Sequence, residues 1–348
     1  MHSPAMSNSA HPRQRTPLGR RAWAIIAATL AVIAAGCLAF SAAAETPTPA
    51  PAPISPASGL LVGIADQQPA SFSDARLTAL AVRHARLSVA WDAMRYRWQR
   101  REIDSWMRAA AVAGMAPQVT FGRSRTRPFS LPPTAVYARQ VRAFRRRYRE
   151  VREFSPWNEP NIAVHPVNSD PRRIASYYNT LRSQCPKCRV LGADVVDTSS
   201  LASWMRAYLR AFRPGRQPRL WGLHNYVDAN STSSWGTRTM LRIAPGEIWL
   251  NEVGALVRRP KPSPGARPDR RKLLRVGKRH SANSMRRVFK LAGLSSRIKR
   301  VYVYHWKDDR KAGWDSALMS SGGDPRPSFD VFAARARESV PAHDAGTG

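Results

Sequence analysis

Two glutamates in this sequence stand at the ends of short apolar runs that have the composition of β-strands. The first closes the run from Val151 to Trp157, as Asn158-Glu159-Pro160. The second closes the run from Gly246 to Asn251, as Glu252-Val253-Gly254. Two carboxyl groups facing one bond can share the work of cleaving a glycoside. One protonates the leaving oxygen, and the other attacks the sugar or activates water. The residue types near other strand-like runs fit the same chemistry. Arg86 could keep a nucleophilic carboxylate ionised. His224 and Tyr226 alternate and so share a face, and the flat ring of Trp306 could pack on the apolar face of a sugar. Asn158 could donate to a sugar hydroxyl. Trp91, Trp157 and Trp314 are weaker candidates for the ring contact, and no role is assigned to Asp66, Asp92 or Asp228.

These residues need a scaffold that gathers several strand ends at one place. Apolar β-like runs at 60–65, 85–90, 117–121, 152–157, 189–194, 219–225, 247–251 and 300–305 alternate with longer amphipathic stretches. The helical stretches lie at 101–113, 134–150, 171–183, 199–212 and 280–294, with a last helix around 327–337. Their apolar residues recur at three- and four-residue spacing. Strands alternating with helices imply a parallel sheet with right-handed crossovers. A doubly wound nucleotide-binding sheet would want a glycine-rich turn after an early strand. The first run is instead followed by Asp66-Gln67-Gln68-Pro69. The expectation is an α/β protein, a (β/α)8 TIM barrel over residues 59–340, with Glu159 and Glu252 at the carboxyl face where such barrels carry their active sites.

In this order the motifs resemble the retaining clan A glycoside hydrolases, of the cellulase-like family 5 or family 39 type. The resemblance rests on Arg86 at the second strand, Asn158-Glu159-Pro160 at the fourth, His224-Asn225-Tyr226 at the sixth, Glu252-Val253-Gly254 at the seventh and Trp306 at the eighth. It implies that Glu159 is the acid/base and Glu252 the nucleophile. Arg86, Asn158, His224, Tyr226 and Trp306 would bind substrate. It further implies a retaining hydrolysis of O-glycosidic bonds that needs no cofactor and no metal. The alternative is a non-catalytic, barrel-shaped carbohydrate- or wall-binding protein, which would have no need of both glutamates.

The rest of the chain bears on where the barrel works. Residues 1–21 are polar and carry Arg13, Arg15, Arg20 and Arg21, and residues 22–44 are nearly all apolar, ending in Ala42-Ala43-Ala44. That is the layout of a signal peptide, or of an uncleaved membrane anchor. Either sends the remainder out of the cytoplasm, and secretion is expected. Residues 45–58 form a Pro/Ala linker, extended and semi-rigid. Residues 341–348 read as a disordered tail. Beyond Cys37, in the leader, the chain has only Cys185 and Cys188. No second ligand pair for zinc accompanies them, so a local disulfide is expected in an exported chain.

The formal charge is +33, mostly arginine. No helix-turn-helix, finger or RNP-like motif accompanies it, so nucleic acid is not the expected partner. The first reading of the charge is a solvated arginine surface set by composition, and the second is attraction of an anionic polymer or wall to the basic surface; the expected partner is a carbohydrate substrate, with the chain itself monomeric. The densest basic run, 258–279, follows the seventh strand. It is expected to be an irregular loop that guides anionic chains toward the barrel mouth and takes no part in the chemistry.

Overall fold

In the computed structural model, residues 59–163, 165–258, 277–309 and 314–339 are described. The leader, the linker, the tail from 341 and most of the basic run 258–279 lie outside the described residues. The strands are β1 (Leu61–Ala65), β2 (His84–Ala90), β3 (Ala116–Gly122), β4 (Glu153–Ser155), β5 (Arg189–Val190), β6 (Asp194–Val196), β7 (Leu220–His224), β8 (Glu247–Val253) and β9 (Ile298–Tyr304). All pair in parallel, in the order β5-β4-β3-β2-β1-β9-β8-β7-β6. The two ends of that order are one stretch of chain. Residues 189–191 bond to β4, through Leu191 N–H to the carbonyl of Phe154, while Gly192 N–H reaches the carbonyl of Leu220 beside β7. The sheet therefore closes on itself, and its pieces make the TIM barrel that the sequence predicts. The one predicted run 189–194 is split because its middle residues change partner from β4 to β7.

The crossover helices Arg97–Val112, Thr134–Arg147, Pro171–Gln184, Leu201–Leu209, Trp235–Ile243 and Lys278–Ala292 follow the strands, and Pro327–Glu338 comes last. Each buries a stripe spaced at helical intervals. Ile103, Trp106, Met107 and Ala110 form the stripe of one helix, and Tyr137, Val141 and Phe144 that of the next. The helix at Pro171 starts where Asp170 accepts from the backbone N–H of Arg173, with proline at the first position. The main apolar core lies between these helices and the outward faces of the strands. Inside the barrel the apolar cluster is small: Ala65, Leu191, Trp249 and Tyr302. The remaining inward positions are polar and buried, among them Arg86, Gln118, Thr120, Asp194 and Asn251. A polar interior costs stability unless its groups are partnered, and here Arg86, Thr120 and Asn251 all bond to Asp194.

Cys185 and Cys188 are joined in a disulfide just ahead of β5. It ties the end of the helix Pro171–Gln184 to the strand that closes the barrel.

Candidate active site

Because the strands are parallel, their carboxyl ends share one face. Arg86 is the third residue of β2 and points inward with Ser88 and Ala90, while Leu87 and Val89 face the helices. It is fully buried, and its guanidinium is the hub of the site. One arm donates to Glu252 Oε2 at 2.6 Å. The other donates to Asn158 Oδ1 at 2.7 Å and Asp194 Oδ2 at 3.0 Å. A buried cation needs such partners, and removing either side would leave an uncompensated charge.

Two backbone features aim the glutamates. Glu159 has φ of 52°, in the left-handed region that non-glycine residues rarely adopt. Its N–H donates to the carbonyl of Asp194 at 2.9 Å, and the N–H of Asn158 donates to the carbonyl of Phe121 at 2.7 Å. These bonds hold the turn that points Glu159 back over the mouth. On β8, strict alternation would put Asn251 and Glu252 on opposite faces. The register against β9 slips between Leu250 and Val253, so β8 carries one extra residue there. Asn251 therefore donates to Asp194 Oδ1 at 3.0 Å inside the barrel, while Glu252 reaches the same interior network through Arg86.

The two carboxylates have different surroundings. Glu252 accepts from Arg86 at 2.6 Å and from the Tyr226 hydroxyl at 3.0 Å. Glu159 bonds to His224 Nδ1 at 3.0 Å. A carboxylate oxygen of each glutamate and a ring nitrogen of His224 all lie within 4.8 Å of one another. Both glutamate side chains keep a little exposure, 17% for Glu159 and 16% for Glu252, so the pair opens to the mouth. Burial opposes a charge on His224. The nearby Glu252 and the contacts with Asp194 and Glu159 outweigh it and raise its pKa to about 9. The imidazole thus holds its second proton at neutral pH. His224 Nδ1 lies 3.0 Å from Glu159 and 4.0 Å from Glu252, between the two carboxylates.

Asp194 is the centre of the second layer. Burial alone would raise its carboxyl pKa, but contacts with His224, Arg86 and Thr120 hold it well below the usual range. Thr120 donates to it at 2.7 Å. It fits only because residue 222, next to it on β7, is glycine: a Cβ there would collide with Asp194 Oδ1. Asp194, Thr120 and Asn251 were not singled out from the sequence. The available signal was an acidic residue inside an apolar strand with a glycine on the strand beside it.

Of the predicted site residues, Arg86, Asn158, Glu159, His224, Tyr226 and Glu252 come together. Trp306 does not join them as a sugar platform. It is 1% exposed, its indole N–H donates to Asp74 at 3.0 Å, and its ring packs edge-on against Phe329. It lies beyond the end of β9, so the alternation that brings Tyr302 and Tyr304 inward does not reach it. Tyr304, half-buried, is the last residue of β9. Its hydroxyl pKa is raised by burial and by the charge of Glu252, and Glu159 adds to this. Trp91 and Trp157 are core residues, whereas Trp314 packs edge-on against Tyr226 at 5.1 Å. The unassigned aspartates are structural. Asp66 accepts from Ser71 and from the N–H of Trp306, Asp92 from Ser124, and Asp228 from the first N–H groups of the helix Trp235–Ile243.

No protein-family model matches the sequence, and no curated protein matches it. Solved structures do match. A family 39 glycoside hydrolase from the gut symbiont Bacteroides cellulosilyticus WH2 aligns with TM-score 0.55 and 15% identity over 79% of this chain. The chain spans 63% of that protein's length. A GH10 endoxylanase from a sugarcane soil metagenome aligns with TM-score 0.56 and 13% identity, covering 80% of this chain and 97% of its own. A GH5_18 protein from Streptomyces cattleya, solved with Manb1-4GlcNAc, aligns with TM-score 0.57 and 14% identity, covering 81% and 82%. At such identities the likeness establishes the fold alone: this chain has the TIM-barrel fold seen in these glycoside hydrolases.

Proposed function

We propose that the protein is an exported retaining glycosidase that hydrolyses O-glycosidic bonds of a polysaccharide or oligosaccharide by a two-glutamate double displacement. The observation that carries this reading is the pair of carboxylates at the barrel mouth, with oxygens within 4.8 Å of each other and unlike partners. Retaining enzymes keep their carboxyl groups roughly 5–5.5 Å apart, and inverting ones roughly 6.5–9.5 Å to admit a water. The short spacing supports retention. The leader and linker read from the sequence support export.

Glu252, oriented by its hydrogen bonds from Arg86 and Tyr226, attacks the anomeric carbon. The bond to the leaving oxygen breaks as Glu159 gives that oxygen a proton. Glycosylation then removes the negative charge of Glu252, which lowers the proton affinity of its neighbours. Glu159, now a carboxylate, takes a proton from a water that attacks the same carbon, and Glu252 leaves. Asn158, its oxygen committed to Arg86, keeps its NH2 free to donate to the hydroxyl beside the reacting carbon. Tyr304 and Trp314 supply ring surface at the mouth.

The experiment is hydrolysis of a panel of aryl glycosides, β-linked polysaccharides and their oligomers, with product stereochemistry followed by NMR. Turnover with retained configuration, lost in Glu252→Ala, is expected. Binding of oligosaccharides without hydrolysis of any panel member would point instead to a non-catalytic carbohydrate-binding barrel.

A further inference from the structure

The opposite end of the barrel carries a second concavity, of about 920 Å³. It opens where strands begin: Arg189 starts β5, Leu220 starts β7 with Arg219 just ahead of it, and Glu247 starts β8. His224 lies four residues further along β7, about 13 Å at roughly 3.3 Å per residue, so this cavity is on the face away from the glutamates. Its rim carries Arg182, Arg189, Arg213, Arg216 and Arg219, and Glu247 is the one acidic residue on it. Glu247 is already committed, accepting from Arg189 at 2.8 Å and from the Trp249 indole at 2.5 Å. Among the described residues Arg182 has a backbone carbonyl as its partner, and Arg213, Arg216 and Arg219 are exposed without an ion pair. The wall is partly aromatic, with Tyr178 and Phe212 edge-on at 5.7 Å.

We propose that this cavity binds an anionic glycan chain, one whose repeating units carry carboxylate or phosphate groups. Arginine forks fit both oxyanions in paired hydrogen bonds. Tyr178 is 8% exposed, so of the two wall rings only the half-buried Phe212 could stack a base, whereas single-stranded nucleic acid binding relies on successive stacking faces. A site on the amino face leaves the carboxyl face open, so the chain could be tethered to an anionic polymer while its mouth stays free. The inference stands independently of the proposed hydrolysis.

The test compares two triple variants of the full chain that lose the same charge. Arg213→Gln/Arg216→Gln/Arg219→Gln removes the cavity arginines. Arg142→Gln/Arg146→Gln/Arg149→Gln removes exposed arginines on and just after the helix Thr134–Arg147, outside the cavity. Binding of fluorescent oligogalacturonate, a glycerol-phosphate oligomer, single-stranded DNA and a neutral xylo-oligosaccharide is measured at low and high salt, after matching melting curves show that each variant folds. The expected result is about tenfold weaker binding of the two anionic oligomers for the cavity variant, from three lost contacts of modest strength each, with less than about twofold for the control. The preferred oligomer then tells carboxylate from phosphate. Equal weakening in both variants would make the charge a matter of composition and overturn the site. So would the absence of anionic-oligomer binding by the parent chain, or tighter cavity-dependent binding of DNA than of either glycan.

Discussion

Arginine does opposite work at the two ends of this barrel. At the carboxyl face Arg86 is fully buried and donates to Glu252, Asn158 and Asp194. At the amino face Arg213, Arg216 and Arg219 are exposed and have no acidic partner among the described residues. A buried, compensated charge fixes geometry, because moving it leaves an ion stranded in a low-dielectric interior. An exposed, uncompensated charge fixes little and attracts what is around it. The same residue type therefore builds a preorganised site at one end and a surface open to ligands at the other. A net charge of +33 describes neither.

The largest expected effect is at the compensated end. Glu252→Ala should lower turnover by at least about 10⁴-fold, since no covalent intermediate can form. Glu159→Ala should lose far less on a dinitrophenyl glycoside, whose leaving group needs little protonation. Equal losses on that substrate would contradict the division of roles. Next, Arg86→Met should destabilise the fold by roughly 3–5 kcal/mol in urea unfolding, by stranding Asp194. The triple Arg213→Gln/Arg216→Gln/Arg219→Gln should leave unfolding unchanged within about 0.5 kcal/mol per site. A comparable loss in both would erase the contrast drawn here.

His224 gives the contrast a pH dependence. Its folded pKa, about 9, lies above the ordinary 6.5. Its contribution to stability is therefore fully present below pH 6.5 and fades as pH rises through about 9. Melting curves of the parent chain should fall across that window relative to those of His224→Gln, and parallel curves would remove the charge from His224. The smallest expected effects separate Tyr304, the last residue of β9, from Trp306 just beyond it. Tyr304→Ala should raise KM or lower kcat by about tenfold, with a modest change in stability. Trp306→Phe should lower the melting temperature, by losing its bond to Asp74, and leave KM unchanged. A KM effect confined to Trp306→Phe would restore the platform role to Trp306.

The elements and the two glutamates were legible in the sequence because both depend on local pattern. Alternation and helical spacing set strands and helices, and Asn158-Glu159-Pro160 and Glu252-Val253-Gly254 close strands. What was hidden depends on pairing between distant segments. The break of 189–194 reflects a change of partner from β4 to β7. Glu252 faces inward because β8 slips against β9, which no local pattern in β8 shows. The importance of Asp194 rests on the room left by Gly222, on another strand. Trp306 was misread because the end of β9 falls two residues before it, where inward alternation stops. The basic run 258–279 begins at Arg258, which pairs with Asp308 at 3.0 Å, so its first charge is not free to guide a substrate.

The central claim is that Glu252 becomes glycosylated while Glu159 moves protons. Its most direct test is to incubate the protein with a panel of 2-deoxy-2-fluoro aryl glycosides, whose second step is slow, and to map the adduct by peptide mass spectrometry. The account predicts one added sugar on the peptide containing Glu252, in the parent chain and in Glu159→Ala given a good leaving group. A label on Glu159, or hydrolysis of the parent glycosides with inversion and no adduct, would contradict it.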